Sequence, residues 1–341
     1  MVVPPLRTKR VFSGIQPTGQ LHLGNYIGAL SLWVAHQAEY ESIFCIVDLH
    51  ALSSPEAVPR GALAGKVREL VALFLASGID PARAAVFVQS HVPAHAELAW
   101  LLNCVTPLGW LQRMTQYKAK AARRARVSAA LLDYPVLQAA DILLYDTDLV
   151  PVGEDQKQHV ELTRDIAQRF HRLFGETFVL PEAVSRPNGA RIMGLDDPAI
   201  KMSKSVTKRW HAIGLTDSPA VIRAAIARAV TDSDTAVRVE RASPGVRNLL
   251  TIHEALSGES AATTAERFAG KGYEVLKRAV TDVVIATLAP IRARYQELMA
   301  DPAYLDRLLA AGAERVQPIA AVTLERARQQ IGLPPRAGAG R

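Results

Sequence analysis

Lys201-Met202-Ser203-Lys204-Ser205 puts two ammonium groups and two hydroxyls into a stretch punctuated by glycine and proline. Such a loop can close over a triphosphate and neutralise the charge that develops as pyrophosphate departs, an interaction strongest in the transition state. A solvated basic loop is the alternative that two lysines by themselves leave open. Near the other end, VFSGIQPTGQLHLGNYIGAL carries Gly14, Gly19, Gly24 and Gly28 with His22 and Asn25 among them. A strand ending near Ser13, a glycine-rich turn and a helix starting near Gly24 would aim backbone N–H groups at an anion. Neither G-x-G-x-x-G nor the P-loop pattern occurs there, so any nucleotide is held another way. The structural alternative is ordinary helix capping by Asn25 with an exposed His22, and Gly28 is expected to let the helix pack closely.

A third set lies in YPVLQAADILLY, residues 134–145. Its surface is mostly apolar, while Tyr134, Gln138, Asp141 and Tyr145 follow one stripe at helical spacing. A buried carboxylate costs several kcal/mol without donors, so Asp141 requires one. An internal arginine and the polar edge of a bound aromatic both satisfy that requirement. In VPVGEDQKQH, residues 150–159, a strand runs out at Val152 and a helix follows Gly153. Glu154 and Asp155 either complement the helix dipole or accept from ribose hydroxyls, with Gln156 facing an amino or carboxyl group. The nine histidines show no metal-ligand spacing. His91 and His95 are spaced i, i+4 without the glutamate of H-E-x-x-H and read as surface or core residues. No protein-held metal is expected, and any Mg²⁺ arrives on nucleotide phosphates.

These residues require a scaffold, and the chain supplies one in its hydrophobic pattern. Its 341 residues predict about two domains. Up to about residue 180, short β-rich runs alternate with helical ones: strands at Arg10–Ser13, Ile43–Asp48, Ala85–Gln89 and Leu149–Val152, helices near Asn25–Glu39, Arg60–Ser77 and Ala94–Asn103. This is an α/β, Rossmann-like, doubly wound parallel sheet. From Asp217 to about Ile331 only helical periods remain, which predicts a second, separate, all-helical C-terminal domain. The expected units are a basic tail at 1–10, a catalytic domain at 11–185 with a helical insertion at about 93–133, a connection at 186–215, the helical domain at 216–332 and a disordered tail at 333–341. Net charge +7 and pI near 9.5 are compatible with a polyanionic partner, and the basic run KAKAARRAR (118–126) is open to that reading or to a solvated face. No apolar run approaches the ~20 residues of a membrane span. Two isolated cysteines and no secretory leader pattern lead us to expect a cytoplasmic protein with no membrane contact.

The order and spacing of these motifs resemble the class I aminoacyl-tRNA synthetases, and within them the tryptophanyl-tRNA synthetase family. Gly-Ile-Gln-Pro-Thr-Gly before His22-Leu23-Gly24-Asn25 is similar to the first ATP motif of that family, and KMSKS to its second. Residues 134–170 resemble the tryptophan-specific members almost word for word, and FCIVDLHAL, GIDPARA and AVTDSD also match. The resemblance implies ATP contacts at Gln16, Pro17, Thr18, His22, Gly24, Asn25, Gly153, Glu154, Asp155, Ile192, Lys201, Met202, Ser203, Lys204 and Ser205. It implies Asp141 as acceptor for the indole N–H, with Tyr134, Gln156 and Gln16 on the α-amino group. Phe12, His50, Val150, Val152 and Gln138 would wall the indole pocket, and Lys120 would lie near the phosphates. Catalysis is thereby assigned to Lys201, Lys204, Gln16 and Lys120.

The implied reaction activates L-tryptophan with Mg·ATP to the adenylate and passes the tryptophanyl group to the terminal adenosine of tRNA(Trp). Positioning and charge stabilisation carry such a transfer without a covalent nucleophile. The helical domain would read the anticodon, and the family is a homodimer. A tyrosyl-tRNA synthetase, or a synthetase-like paralogue that binds ATP, tryptophan or a partner without charging tRNA, are the alternatives. Two departures stand out: Gln138 where a methionine is expected against the indole, and Val206-Thr207 where acidic residues are expected after KMSKS.

Overall fold

The structure, a computed structural model, describes residues 8–122, 126–153, 156–184, 191–203, 208–234 and 236–335. Strands β1 (Arg10–Ile15), β2 (Glu41–Ile46), β3 (Ala85–Val88), β4 (Leu149–Pro151) and β5 (Glu182–Val184) form one sheet in the order β3-β2-β1-β4-β5. All pairings are parallel. Parallel strands covered on both faces are built from unbroken apolar runs, and Ile43–Ile46 and Ala85–Val88 are buried throughout. Chain order reverses beside β1, so the crevice between the C-terminal ends of β1 and β4 is the switch point where doubly wound sheets bind ligands.

Helices cover the sheet in the connections: α1 (Leu23–Asn25), a π-helical turn (Tyr26–Leu30) and α2 (Ser31–His36) after β1, then α3 (Asp48–Ala51) and α4 (Leu63–Ala76) after β2. Between β3 and β4 run α5 (Ala94–Asn103), α6 (Leu108–Arg113), α7 (Thr115–Ala121) and α8 (Ala129–Leu143), and α9 (Lys157–Phe174) precedes β5. The C-terminal half consists of α10 (Pro219–Ala227), α11 (Pro244–Ser257), α12 (Ala261–Phe268), α13 (Tyr273–Met299) and α14 (Pro302–Ile331).

Alternate residues of β2 and β3 enter opposite cores, as the two-residue period requires. Phe44, Ile46, Val86 and Val88 join Trp33 and Phe74 on one face; Ile43, Cys45, Ala85 and Phe87 join Leu98, Val136 and Phe170 on the other. The first core runs on without a break into Ile222, Leu249, Leu288 and Leu305 of the helical half, and the second takes in Val316 and Leu324 of α14. The C-terminal half is all-helical as expected, and its helices contribute to both cores of the sheet. The composition shift at Asp217 marks a change of secondary structure and not a boundary between cores.

Other boundaries also move. Arg10 belongs to β1, where its N–H donates to Asp148 Oδ2 (2.7 Å) and its guanidinium pairs with Glu41 (2.9 Å). Residues 1–7 and 336–341 of the expected tails lie outside the described residues. The helix expected from Asn25 begins at Leu23, and β5 was not anticipated, since all of its residues are exposed. Tyr145 lies past the end of α8 and not within it.

Candidate active site

β1 delivers its chain to the crevice through half-buried Gln16, buried Pro17 and half-buried Thr18. Gly19 then turns with φ +62, a conformation that favours glycine. Leu21 and Leu23 bond to the segment before α10: Leu23 N–H donates to Ile213 O (2.8 Å), and Leu215 N–H to Leu21 O (3.0 Å). His22 and Asn25 close a reciprocal capping box at the start of α1. His22 Nδ1 accepts from Asn25 N–H (3.3 Å) and Asn25 Oδ1 accepts from His22 N–H (3.1 Å). His22 is the cap and is buried, which corrects the alternative of helix capping by Asn25 with an exposed His22. Close packing at Gly28 is likewise corrected, because an added Cβ there would meet nothing within 4 Å.

The KMSKS segment meets this turn. A Cβ on Gly24 would lie 3.1 Å from the His22 ring and 3.5 Å from Met202 Cβ. Met202 is buried in the first core, its N–H donating to the carbonyl of buried Ile192 (3.0 Å). Met193 and Lys201 form an antiparallel bridge, and the Asn248 amide of α11 holds Met193 from the side. The buried His211 ring spans Asp196 Oδ1 (2.6 Å) and the carbonyl of Lys201 (3.2 Å). The root of the loop is thus fixed from both halves of the molecule, with the Lys201 side chain exposed and Ser203 half-buried. Lys204, Ser205, Val206 and Thr207 lie outside the described residues, as do Glu154 and Asp155. Gly153 accepts through its carbonyl from Gln156 N–H (2.9 Å), and half-buried Gln156 caps α9.

Asp141, on the inner face of α8, is 1% exposed and has three donors, from α3, the turn after β3 and α5. His50 Nε2 donates to Oδ2 (2.7 Å); Gln89 Nε2 and His95 Nδ1 both donate to Oδ1 (2.6 Å each). A carboxylate only accepts, so the ring nitrogens facing it carry the protons, and His95 Nε2 pairs with the Tyr145 hydroxyl (2.7 Å). Burial works to raise the Asp141 carboxyl, but His50 and His95 hold it well below the usual carboxylate range. Burial, with Cys45 and Asp141 nearby, pushes the Tyr145 phenol well up, so it stays protonated.

Of the expected wall residues, His50 bonds directly to this carboxylate. Phe12 is buried and stacks on Tyr145 (5.7 Å, 13°), Val150 is buried, and Val152 and Gln138 are half-buried. Tyr134 sits edge-on to His50 (6.4 Å), its hydroxyl bonded to His159 Nε2 (2.9 Å), and burial raises its pKa to about 12. Lys120 of α7 places its Nζ 4.8 Å from the centre of the Tyr134 ring, on the pocket side of the basic run. Sequence reasoning missed Gln89, Asn248, His211 and the part played by His95. Asp141's need for a donor was the only local signal pointing to any of them. Among the described residues no group of three or more His, Cys, Asp or Glu could hold a metal ion.

Residues 6–289 match the family described as tRNA synthetases class I (W and Y). A curated relative from Gloeobacter violaceus, named tryptophan–tRNA ligase, is 51% identical over 96% of this chain and 97% of its own. Of the solved structures, tryptophanyl-tRNA synthetase from Mycoplasma pneumoniae superposes with a TM-score of 0.87 at 36% identity, covering 96% of this chain and 99% of that one. The Campylobacter jejuni tryptophanyl-tRNA synthetase complexed with ADP and tryptophan superposes with a TM-score of 0.82 at 35% identity, over 95% of this chain and 100% of that one.

Proposed function

We infer that this chain, which belongs to the class I tRNA synthetases for tryptophan and tyrosine, is a tryptophan–tRNA ligase. It activates L-tryptophan with ATP and transfers the product to the 3′-terminal adenosine of tRNA(Trp). The observation that carries the tryptophan assignment is the buried, ionised Asp141, an acceptor-only group whose helical neighbours Ala140 and Ile142 share a core with Phe12 and Val150. An amino acid whose ring carries an N–H donates to it. One without a donor leaves a buried charge short of a partner, which binding alone discriminates by large factors.

In the first step the tryptophan carboxylate attacks the α-phosphorus, and the bond to the bridging oxygen breaks as pyrophosphate leaves. Nucleotide contacts fall to Gln16, Thr18, Gly24 and Asn25, which follow β1 in the sequence, and to Gly153, Glu154 and Asp155, which follow β4. Tyr134 and Gln156 orient the α-amino group. Lys201, Lys204 and Lys120 neutralise the phosphates as charge shifts to the leaving group. Mg²⁺ is carried on those phosphates, where it shields their charge when bound, and the protein needs no cage of its own for it. In the second step an adenosine hydroxyl attacks the carbonyl carbon and AMP leaves.

The helical half reads the anticodon end of tRNA, with the arginines spread along its helices available to phosphates. The enzyme works in the cytoplasm as a homodimer, for which Trp100 (69% exposed) and Leu108 (57% exposed) offer apolar surface on α5 and α6. No described helix is long and apolar enough to cross a membrane.

Pyrophosphate exchange into ATP is the test. Exchange should depend on tryptophan, and exchange supported by tyrosine alone would overturn the substrate assignment. Charging of tRNA(Trp) should accompany it, and exchange without charging would favour the non-charging paralogue. Asp141→Ala should weaken tryptophan binding far more than ATP binding; equal loss of both would point to misfolding. Lys204→Ala should slow adenylate formation with little change in tryptophan affinity.

A further inference from the structure

We propose that His95 and Tyr145 are positioning residues for tryptophan recognition: they lock the Asp141 carboxylate so that only Oδ2 remains to accept the indole N–H. This inference rests on Asp141 being the tryptophan acceptor. A carboxylate offers about four acceptor sites, two on each oxygen. Oδ1 is filled by Gln89 Nε2 and His95 Nδ1 at 2.6 Å each, whereas Oδ2 holds a single bond, from His50 at 2.7 Å. The vacant acceptor site therefore lies on the oxygen that faces His50, the ring against which Tyr134 packs.

The lock depends on one tautomer. His95 must carry its proton on Nδ1 to donate to Oδ1, and the Tyr145 hydroxyl secures this by donating to Nε2 (2.7 Å). With the other tautomer, two lone pairs would face each other across the 2.6 Å gap. His95 is fully buried, so no bulk water can take the place of that hydroxyl. Tyr145 is itself fixed on several sides. Its ring stacks on Phe12 (5.7 Å, 13°) and meets Phe87 edge-on (5.8 Å, 73°), and its carbonyl accepts from Arg10 Nη1 (2.5 Å). The chain Tyr145–His95–Asp141 thus converts packing on one face of the sheet into the orientation of a single oxygen. A carboxylate free to rotate would adapt to ligands lacking the N–H, and a locked one cannot.

The full-length enzyme should be assayed by pyrophosphate exchange with L-tryptophan and with its isostere carrying sulfur in place of the indole N–H. Tyr145→Phe and His95→Phe should lower the tryptophan-to-isostere ratio of kcat/KM by about tenfold or more, through the tryptophan KM and with the ATP KM unchanged. His95→Asn, whose Nδ2 can stand where Nδ1 stood, should return most of the ratio. The ¹⁵N shifts of His95 should report the Nδ1–H tautomer in the parent enzyme and lose that signature in Tyr145→Phe, a readout separate from activity. Equal effects on both amino acids, or an unchanged ratio, would overturn the proposal and leave His95 a core residue. If the parent enzyme makes no distinction between the two amino acids, or Asp141→Asn leaves the tryptophan KM unchanged, the assignment of Asp141 itself fails.

Discussion

Asn248 holds the backbone of Met193 at both ends of its amide: Oδ1 accepts from Met193 N–H at 2.8 Å and Nδ2 donates to Met193 O at 2.9 Å. Asn248 lies on α11 in the helical half, while Met193 is bridged to Lys201 at the root of the KMSKS loop. The two hydrogen bonds therefore set the loop's position relative to helices remote from the sheet. Asn248→Ala leaves two backbone groups without partners, at about 1–3 kcal/mol each. The segment relieves that cost by shifting, so the ATP KM in pyrophosphate exchange should rise about tenfold while the tryptophan KM stays within about twofold. Asn248→Asp keeps the acceptor but sets a carboxylate oxygen against the Met193 carbonyl, and should be no better. Steady-state exchange kinetics on both variants check this, and an unchanged ATP KM would refute it.

The Asp141 site makes stability depend on acidity with a definite sign. Its folded carboxyl titrates well below the ordinary value of 3.8, so the folded state binds that proton less readily than the unfolded one. The resulting stabilisation is complete above about pH 4 and is withdrawn as the pH falls toward the folded value. Asp141→Asn removes the titration. Urea midpoints measured from pH 6 down to pH 3 should fall less steeply in the variant than in the parent. Parallel slopes would mean that Asp141 titrates normally.

The scaffold was legible because its signal is local, and the donors of the site were not, because theirs is not. The runs around Ile43–Ile46 and Ala85–Val88 announce themselves because buried parallel strands are apolar at every position. Glu182–Val184 has no such run; it is a strand only because it pairs with β4 from Leu149↔Glu182 to Pro151↔Val184. Asp141 could be singled out because a carboxylate in an apolar stripe needs donors. Its donors His50, Gln89 and His95 are 91, 52 and 46 residues distant in sequence, and no periodicity links them. His22 and Asn25 were read in the wrong order because asparagine is the commoner cap, whereas the box they form is reciprocal.

The two cysteines should separate by reactivity. Cys45 is fully buried on β2, and its thiol is pushed well up by burial and then by the nearby carboxylates of Asp141 and Asp48. Cys104, at the end of α5, is exposed. A disulfide reagent at pH 8 should therefore titrate one of the two thiols rapidly in the native protein and both after denaturation. Cys104→Ser should abolish the rapid phase. A persisting rapid phase in that variant would mean that the sheet opens beside Asp141.

Gly312 is where the long helix α14 touches the sheet, and its lack of a side chain is what permits the contact. A Cβ there would stand 1.9 Å from the Val86 carbonyl oxygen and 3.4 Å from Phe87 Cβ. The obstacle is backbone of the buried edge strand β3, so it cannot rotate aside; α14 must lift or β3 must shift. Overpacking of this kind costs about 1–3 kcal/mol. Phe87 packs against Tyr145 at 5.8 Å, so the strain also reaches the residue that holds His95. Gly28 provides the contrast, since a methyl group there meets nothing within 4 Å and alanine is favoured over glycine in helical backbone by about 0.5–1 kcal/mol. Thermal unfolding should show Gly312→Ala losing several degrees, with a raised tryptophan KM, and Gly28→Ala holding or gaining stability. Similar shifts in the two variants would mean that α14 is not seated on β3 through Gly312.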